Sequence, residues 1–126
     1  MSLESPLLAN RLHGFAWIAA GDTAVRTTTA RAWNIAPAGL RLLLAVAAIE
    51  ERSNQIVPTS TARLLTGLDP ATVSFQATKL GPKGAGYLTK EGRTGLLLST
   101  TGRNLVNDFA RRMRQHFEAV NERLEM

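Results

Sequence analysis

The stretch 59–103 decides the fold of this 126-residue chain: it consists of TSTARLLTGLDPATVSFQATKLGPKGAGYLTKEGRTGLLLSTTGR. Its first half contains two short helical patterns that meet at the turn TGLD, residues 66–69. Its second half contains two short strand patterns, 86–90 and 95–99, on either side of a glycine-rich turn, which predict a β-hairpin. The predicted order of parts is therefore helix, turn, helix, hairpin and the start of a further helix.

Residue types at the helix ends set the expected boundaries within this stretch. Thr59 or Ser60 is expected to cap the first short helix, and Gly67 is expected to end it. Asp69 is expected to cap the second, with Pro70 at its first position, where a missing N–H removes no helical hydrogen bond. A segment rich in glycine and proline then ends the second helix.

The second short helix is predicted to have one buried and one exposed face. Val73, Ala77 and Leu80 recur at intervals of four and three residues, which places them on the buried side. The opposite side is expected to carry Ala71, Thr72, Phe75, Thr78 and Lys79.

The rest of the chain is expected to be helical scaffold within a single domain. Residues 7–33 predict a long or kinked N-terminal helix and 38–52 a central buried helix, with a very short strand at 56–57. A C-terminal helix is expected to start at Ser99 or Thr100 and to run nearly to the end of the chain. The predicted organisation is 1–36 as an N-terminal dimerisation helix, 37–100 as a winged helix-turn-helix core, and 101–126 as a C-terminal dimerisation helix. The fold class is mainly α with a small β-hairpin wing.

Positive charge is concentrated in the same stretch. The chain has a formal charge of +5, and residues 58–104 account for +4 of it, with six basic and two acidic residues. Residues 1–57 contribute +1, and residues 105–126 are balanced. A basic surface kept only for solubility does not need this bias, whereas a surface that faces phosphates does.

Several other classes of function find no support in the sequence. The chain has no cysteine, and its two histidines, His13 and His116, stand far apart without acidic neighbours at ligand spacing, so no metal or other cofactor is expected. No nucleophile elbow is present, and the glycine-rich segment 81–86 lacks the residues of a phosphate loop, so no enzyme is expected. With no apolar run long enough to span a bilayer and no signal peptide pattern, we expect a cytoplasmic protein that does not bind membranes.

With these features the sequence resembles the MarR-type winged-helix regulators. The resemblance rests on TGLDPATVSFQATKL at 66–80, on the hairpin that follows, and on LSTTGRNL at 98–105, which is similar to the strand-to-helix junction LTEKGREL common in that family. It implies a homodimer with interleaved N- and C-terminal helices and two recognition helices on a pseudo-palindromic DNA site. The chain departs from the family pattern at Phe75, where many members carry arginine or another polar residue, and in its wing sequence Lys90–Glu91–Gly92–Arg93.

The expected function is therefore sequence-specific binding of double-stranded DNA by a homodimer, most simply a transcriptional repressor. Short hydroxyl side chains suit phosphates or base edges, lysines suit the backbone, and an arginine at the wing tip suits a minor groove. Phe75 is expected either to meet a thymine methyl group or to tuck against the wing. The DNA-binding residues are expected to be Thr59, Ser60, Ala71, Thr72, Ser74, Phe75, Thr78, Lys79, Lys83, Lys90 and Arg93. Two alternatives remain open: a plasmid or phage replication, partition or architectural factor, and a winged-helix module for protein–protein contact.

An apolar stripe on the C-terminal helix continues beyond what a small core needs, which predicts dimerisation. The alternative is that the helix folds back onto the N-terminal helix of the same chain. The expected interface residues are Leu8, Leu12, Phe15, Phe109, Met113, Phe117, Val120 and Leu124. Phe15, Trp17, Trp33 and Tyr87 either form a pocket for a small aromatic effector or are ordinary core residues.

Overall fold

The structure, a computed structural model, describes residues 23–53, 56–91 and 95–125. The described chain is mainly helical with a small antiparallel sheet, as the sequence predicts, and the arrangement is compatible with a winged helix. In chain order the elements are α1, described over Thr23–Ala32, then α2 (Pro37–Ser53), β1 (Val57–Pro58), α3 (Thr59–Thr66), α4 (Pro70–Leu80), β2 (Leu88–Glu91), β3 (Gly95–Leu98) and α5 (Thr100–Glu125).

The sheet has three strands rather than the two of a simple hairpin. Its order is β1-β3-β2, so the hairpin strand β3 lies in the middle. Val57 pairs with Leu96 on one side of β3, and Lys90 pairs with Leu96 on the other. The short strand predicted at 56–57 lies one residue later than expected, and it anchors the hairpin to the start of α3.

A sharp break separates α1 from α2. Asn34 adopts a left-handed conformation with φ of 55°, while Ile35 N–H donates to the Ala30 carbonyl and Asn34 N–H to that of Arg31. These two bonds satisfy carbonyls that a helix end would otherwise leave unpaired. Pro37 then begins α2, and the two helices meet at a bend of 103°. No single described helix has both the length and the apolar composition needed to cross a bilayer, although α1 and α2 together meet that criterion.

The core is built around α2, as its apolar composition predicts. Leu40, Leu42, Leu43 and Val46 are fully buried, which explains why this helix is apolar on most sides. α2 packs against α3, α4, β3 and α5, so it positions the elements of the 59–103 stretch except β2, which is held by β3. The other members of the core cluster are Ala30, Val57, Ala62, Val73, Ala77, Leu80, Leu88, Leu96, Leu98 and Leu105.

The predicted cap of α3 is wrong, while its predicted end is confirmed. The helix begins at Thr59 with Pro58 at the capping position, and no side chain makes a capping hydrogen bond there. Because β1 runs directly into α3, extended Pro58 occupies the place that Thr59 or Ser60 was expected to take. At the other end Gly67 is left-handed with φ of 70°, and its N–H donates to the Arg63 carbonyl.

Candidate nucleic-acid interface

The start of α4 is fixed by Asp69, as the sequence predicts. The Asp69 carboxylate accepts a hydrogen bond from Thr72 N–H at 2.8 Å and a second from the Thr72 hydroxyl at 2.9 Å. The backbone bond, and after it the hydroxyl bond, lowers the pKa of Asp69 below its usual value. Asp69 therefore stays ionised at neutral pH, and its negative charge makes the N-terminus of α4 unfavourable for a phosphate.

Two hydroxyl groups expected to contact DNA donate hydrogen bonds within α4 and its N-terminal cap. Besides the bond from Thr72 to Asp69, the Thr78 hydroxyl donates to the Ser74 carbonyl at 3.1 Å. Phosphate oxygens only accept hydrogen bonds, so neither hydroxyl can donate to a phosphate without breaking its bond inside the helix. Both can still accept a hydrogen bond from an amino group.

The two faces of α4 differ as predicted. Val73, Ala77 and Leu80 are buried against the core, together with Gln76, which the sequence did not single out. A Cβ built at Gly39 of α2 would lie only 2.9 Å from Gln76 Oε1, so the two helices pack closely at this point. On the other face Ala71, Ser74 and Thr78 are exposed, and Thr72 is half-buried.

The most prominent side chains on the outer face of α4 are Phe75 and Lys79. Phe75 is 58% exposed, so its ring is open to solvent and does not pack beneath the described part of the hairpin. Lys79 Nζ lies 5.2 Å from the centre of that ring, within the range of a cation–π contact. The lysine thus stays on the same face as the ring, one helical turn further along.

More cationic side chains surround α4. Arg63, Lys83 and Lys90 are exposed and form no ion pair with any residue in the described ranges. Arg103 differs, because its guanidinium donates to the buried carboxylate of Glu50 at 2.8 Å. Among the other expected DNA-binding residues, Thr59 is half-buried and Ser60 is exposed, while Arg93 lies outside the described residues.

A compact turn after α4 places Lys83 at the end of that helix. Ala85 N–H donates to the Lys79 carbonyl at 2.8 Å, and Tyr87 N–H donates to that of Leu80 at 2.8 Å. A Cβ at Gly84 would lie 2.0 Å from the Lys79 carbonyl oxygen, so only glycine fits this return of the chain. The glycine-rich segment is thus a helix stop that leads into β2, as predicted.

The motif LSTTGR joins the hairpin to α5 by packing. The Ser99 hydroxyl donates to the Gly86 carbonyl at 2.6 Å and accepts from Gly102 N–H at 3.0 Å, capping α5. A Cβ at Gly102 would lie 2.1 Å from the Tyr87 carbonyl oxygen, so the backbones of α5 and the chain entering β2 are in direct contact. Glu50, near the end of α2, is buried and also accepts from Leu98 N–H at 3.0 Å.

The outer face of α5 carries the remaining expected interface residues. Met113 and Phe117 are half-buried, and they line a groove along α5 together with Val106, Phe109 and Asn121. Phe109 also packs against the core, and the separate residue Val120 is buried within the single chain, so both contribute to the packing of one protomer. Leu8, Leu12, Phe15 and the side chain of Leu124 lie outside the described part of the chain.

Two polar atoms on α5 have no hydrogen-bond partner among the described residues. They are Asn121 Oδ1, at the groove, and His116 Nε2, on the side of α5 that faces α1. Buried polar atoms without partners are rare in folded proteins.

The aromatic residues considered for an effector pocket have contacts of their own. The rings of Trp33 and Tyr87 meet edge to face, with centroids 6.1 Å apart, and both pack against the core. Trp33 Nε1–H donates to the Asp108 carboxylate at 2.9 Å. This bond, with smaller contributions from Arg112 and Arg111, holds the pKa of Asp108 well below its usual range. Phe15 and Trp17 lie outside the described residues.

Two exposed leucines on α3 were not predicted. Leu64 is 84% exposed and Leu65 is 58% exposed. Their positions show no helical periodicity that would have signalled this, because α3 is only eight residues long. Arg41 of α2 donates to the carbonyl of Thr66 at the end of α3, and this bond fixes the turn between α3 and α4.

No group of acidic or histidine side chains suited to a metal ion occurs in the described residues. In comparisons with known proteins, no protein-family model, no curated protein and no solved structure matches this chain. The resemblance to MarR-type regulators therefore rests on the sequence motifs and on the element order.

Proposed function

We propose that this chain is a sequence-specific double-stranded DNA-binding protein of the winged helix-turn-helix type, acting as a homodimer and most simply as a transcriptional repressor. In this proposal α3 and α4 form the helix-turn-helix, α4 is the recognition helix, and the β2–β3 hairpin is the wing. α4 lies in the major groove, and the wing contacts the flanking groove.

The observation that carries the proposal is the outer face of α4. The inner face is anchored by Val73, Ala77 and Leu80, while the outer face presents Phe75 and Lys79 to solvent. A surface helix that is held rigidly on one side and open on the other suits insertion into a groove. The exposed cations Arg63, Lys83 and Lys90 supply the charge that phosphates require.

The homodimer in this proposal is supported by α5. The helix spans 26 residues and leaves Met113 and Phe117 only half-buried along the groove. A second protomer packed on this groove would cover the aromatic and sulfur-containing side chains. Two recognition helices would then face a pseudo-palindromic site.

The first experiment is a salt titration of DNA binding by the full chain. Four exposed cations per protomer (Arg63, Lys79, Lys83, Lys90) would give log K against log salt a slope of about −3.6 per protomer, at about −0.9 for each neutralised phosphate. Lys83→Ala should weaken binding to all duplexes alike and reduce this slope by about 0.9. Binding that does not depend on salt, or no binding to any duplex, would contradict the proposal.

In-vitro selection from random duplexes would then test specificity and symmetry together. The expected result is an enriched site with two-fold symmetry, bound as a discrete complex. Footprints that spread cooperatively over repeated sites would instead favour a replication, partition or architectural factor.

One observation favours a second candidate, a module for protein–protein contact. Leu64 and Leu65 expose apolar surface on α3, next to the helix that carries Phe75. A set of exposed apolar side chains is typical of protein interfaces. A gel shift with random duplex at low salt distinguishes the candidates, because a protein-binding module should produce little shift.

A further inference from the structure

The outer face of α4 has few side chains that can form hydrogen bonds with a base. The 11 residues of α4 contain no Arg, Asn, Asp or Glu, and its single amide side chain, Gln76, is buried against α2. The protons of the Thr72 and Thr78 hydroxyls are donated within the α4 segment. The bidentate pairs that Arg, Asn and Gln form with guanine or adenine therefore cannot be formed from this face, which leaves the Lys79 ammonium and the Ser74 hydroxyl as its hydrogen-bond donors.

What the outer face does offer is apolar contact. Phe75 is 58% exposed, and Ala71, one turn earlier on the same side, is exposed as well. The thymine 5-methyl is the group in the major groove that apolar side chains contact to tell one base from another. An aromatic ring on the recognition helix therefore matches thymine better than any other base.

The charges around the Phe75 ring also favour a thymine nucleotide as the partner. Lys79 Nζ is held 5.2 Å from the ring centre, and no acidic residue occurs in α4 itself. A partner that covers Phe75 must therefore bring an apolar group to the ring and negative charge to the lysine beside it. A thymine methyl with its neighbouring backbone phosphate supplies both within one nucleotide.

We propose that Phe75 is the specificity-determining residue of α4 and that it recognises the 5-methyl group of a thymine in each half-site, while Lys79 binds the adjacent phosphate. This inference rests on the proposed DNA-binding function. It differs from recognition by hydrogen bonds because the base would be identified by a single methyl group.

The test replaces thymine by uracil, which removes the methyl group and leaves every hydrogen-bonding group in place. Each thymine of the selected duplex is replaced in turn, symmetrically in both half-sites, and affinities are measured with the wild-type protein. At one position the affinity should fall about fourfold per half-site, which is the effect of one buried methyl group. Wild-type binding that changes by less than about 1.5-fold at every thymine would overturn the inference, as would a selected site without thymine.

Variants then assign the methyl contact to one side chain. With Phe75→Ala, the thymine and uracil duplexes should bind equally, whereas Phe75→Leu should retain part of the preference because it keeps an apolar contact. Leu64→Ala, which removes another exposed apolar side chain on α3, should keep the full preference. A preference that persists in Phe75→Ala would overturn the assignment.

The outcomes separate this inference from the function on which it rests. Absence of binding to every duplex overturns both. Salt-dependent binding to a defined site without any response to uracil overturns only the role of Phe75. Lys79→Ala should weaken the thymine and uracil duplexes by the same factor, and an unequal loss would contradict the phosphate contact.

Discussion

The outer faces of α4 and α5 both carry large apolar side chains that are not fully buried, but the charges of the two segments differ. On α4, Phe75 stands beside Lys79 in a segment with a formal balance of +4 over residues 58–104. On α5, Met113 and Phe117 lie in a segment whose charges balance to zero, and Asp108 pairs with the nearby arginines 111 and 112.

This difference indicates different partners. An apolar groove in a segment without net charge complements another apolar protein surface. An exposed ring beside cations that form no ion pair within the described residues complements a polyanion that carries apolar groups. We therefore expect protein contact at α5 and DNA contact at α4.

The largest expected effect comes from breaking the scaffold that both faces share. Gly102→Ala places a Cβ about where the Tyr87 carbonyl oxygen lies, since the two would be 2.1 Å apart. We expect it to lower the free energy of unfolding by more than about 3 kcal/mol, measured by urea denaturation. Thr101→Ala, at an exposed neighbouring position, is the control. A loss below about 1 kcal/mol would show that the two backbones can separate easily.

The next effect tests α5 alone. Phe117→Asp introduces a charge into the α5 groove and should raise the dissociation constant of the proposed homodimer at least about 30-fold, which corresponds to about 2 kcal/mol. Sedimentation equilibrium measures it directly. Asn104→Asp adds the same charge at an exposed position near the start of the helix and should leave the dimer intact. Equal dissociation constants for the two variants would contradict the assignment of this face.

A third effect tests how α5 is attached to the rest of the chain through Asp108 and Trp33, independently of its outer face. The pKa of Asp108 is lowered, chiefly by the Trp33 indole, so its carboxylate stabilises the fold above the unfolded pKa of about 3.9 and loses this effect as pH falls toward the folded value. Asp108→Asn should lower the free energy of unfolding at pH 7 by about 1–3 kcal/mol. Between pH 4 and pH 2, denaturation curves of the variant should change less than those of the wild type. Parallel pH dependence would contradict this role.

The smallest effect concerns α4. Phe75→Ala should change the free energy of unfolding by less than about 0.5 kcal/mol, because the ring is exposed. On the inner face of the same helix, Leu80→Ala should cost about 2–5 kcal/mol. Thermal denaturation of both variants tests this contrast. A large loss for Phe75→Ala would mean that the ring supports the fold rather than a partner.

Local chemistry made much of the fold predictable. Gly67 and Asp69 fix helix ends through their own backbone conformation or side chain, and the spacing of Val73, Ala77 and Leu80 identified the inner face of α4. These features depend only on residues a few positions apart, so the sequence displays them directly.

Features that depend on distant partners were not predictable. Glu50 is buried because it accepts hydrogen bonds from Leu98 N–H and from the Arg103 guanidinium, which lie about 50 residues away in the chain.

In the candidate site, the exposure of Phe75 followed from periodicity, whereas the bond from Thr72 to Asp69 depends on side-chain geometry at the cap. The exposure of Leu64 was not predicted, because it depends on which parts of the chain pack against α3.

Because β1 is short, the Glu50 carboxylate has a second role at the sheet. β1 pairs only with Gly95 and Leu96, so β3 extends beyond it. Leu98 is two residues past Leu96, and its N–H therefore points to the same side of β3, where a longer β1 would have accepted it. Glu50 accepts that N–H instead. The carboxylate thus pairs a backbone N–H that β1 does not reach and that would otherwise lie in the interior without a hydrogen-bond partner.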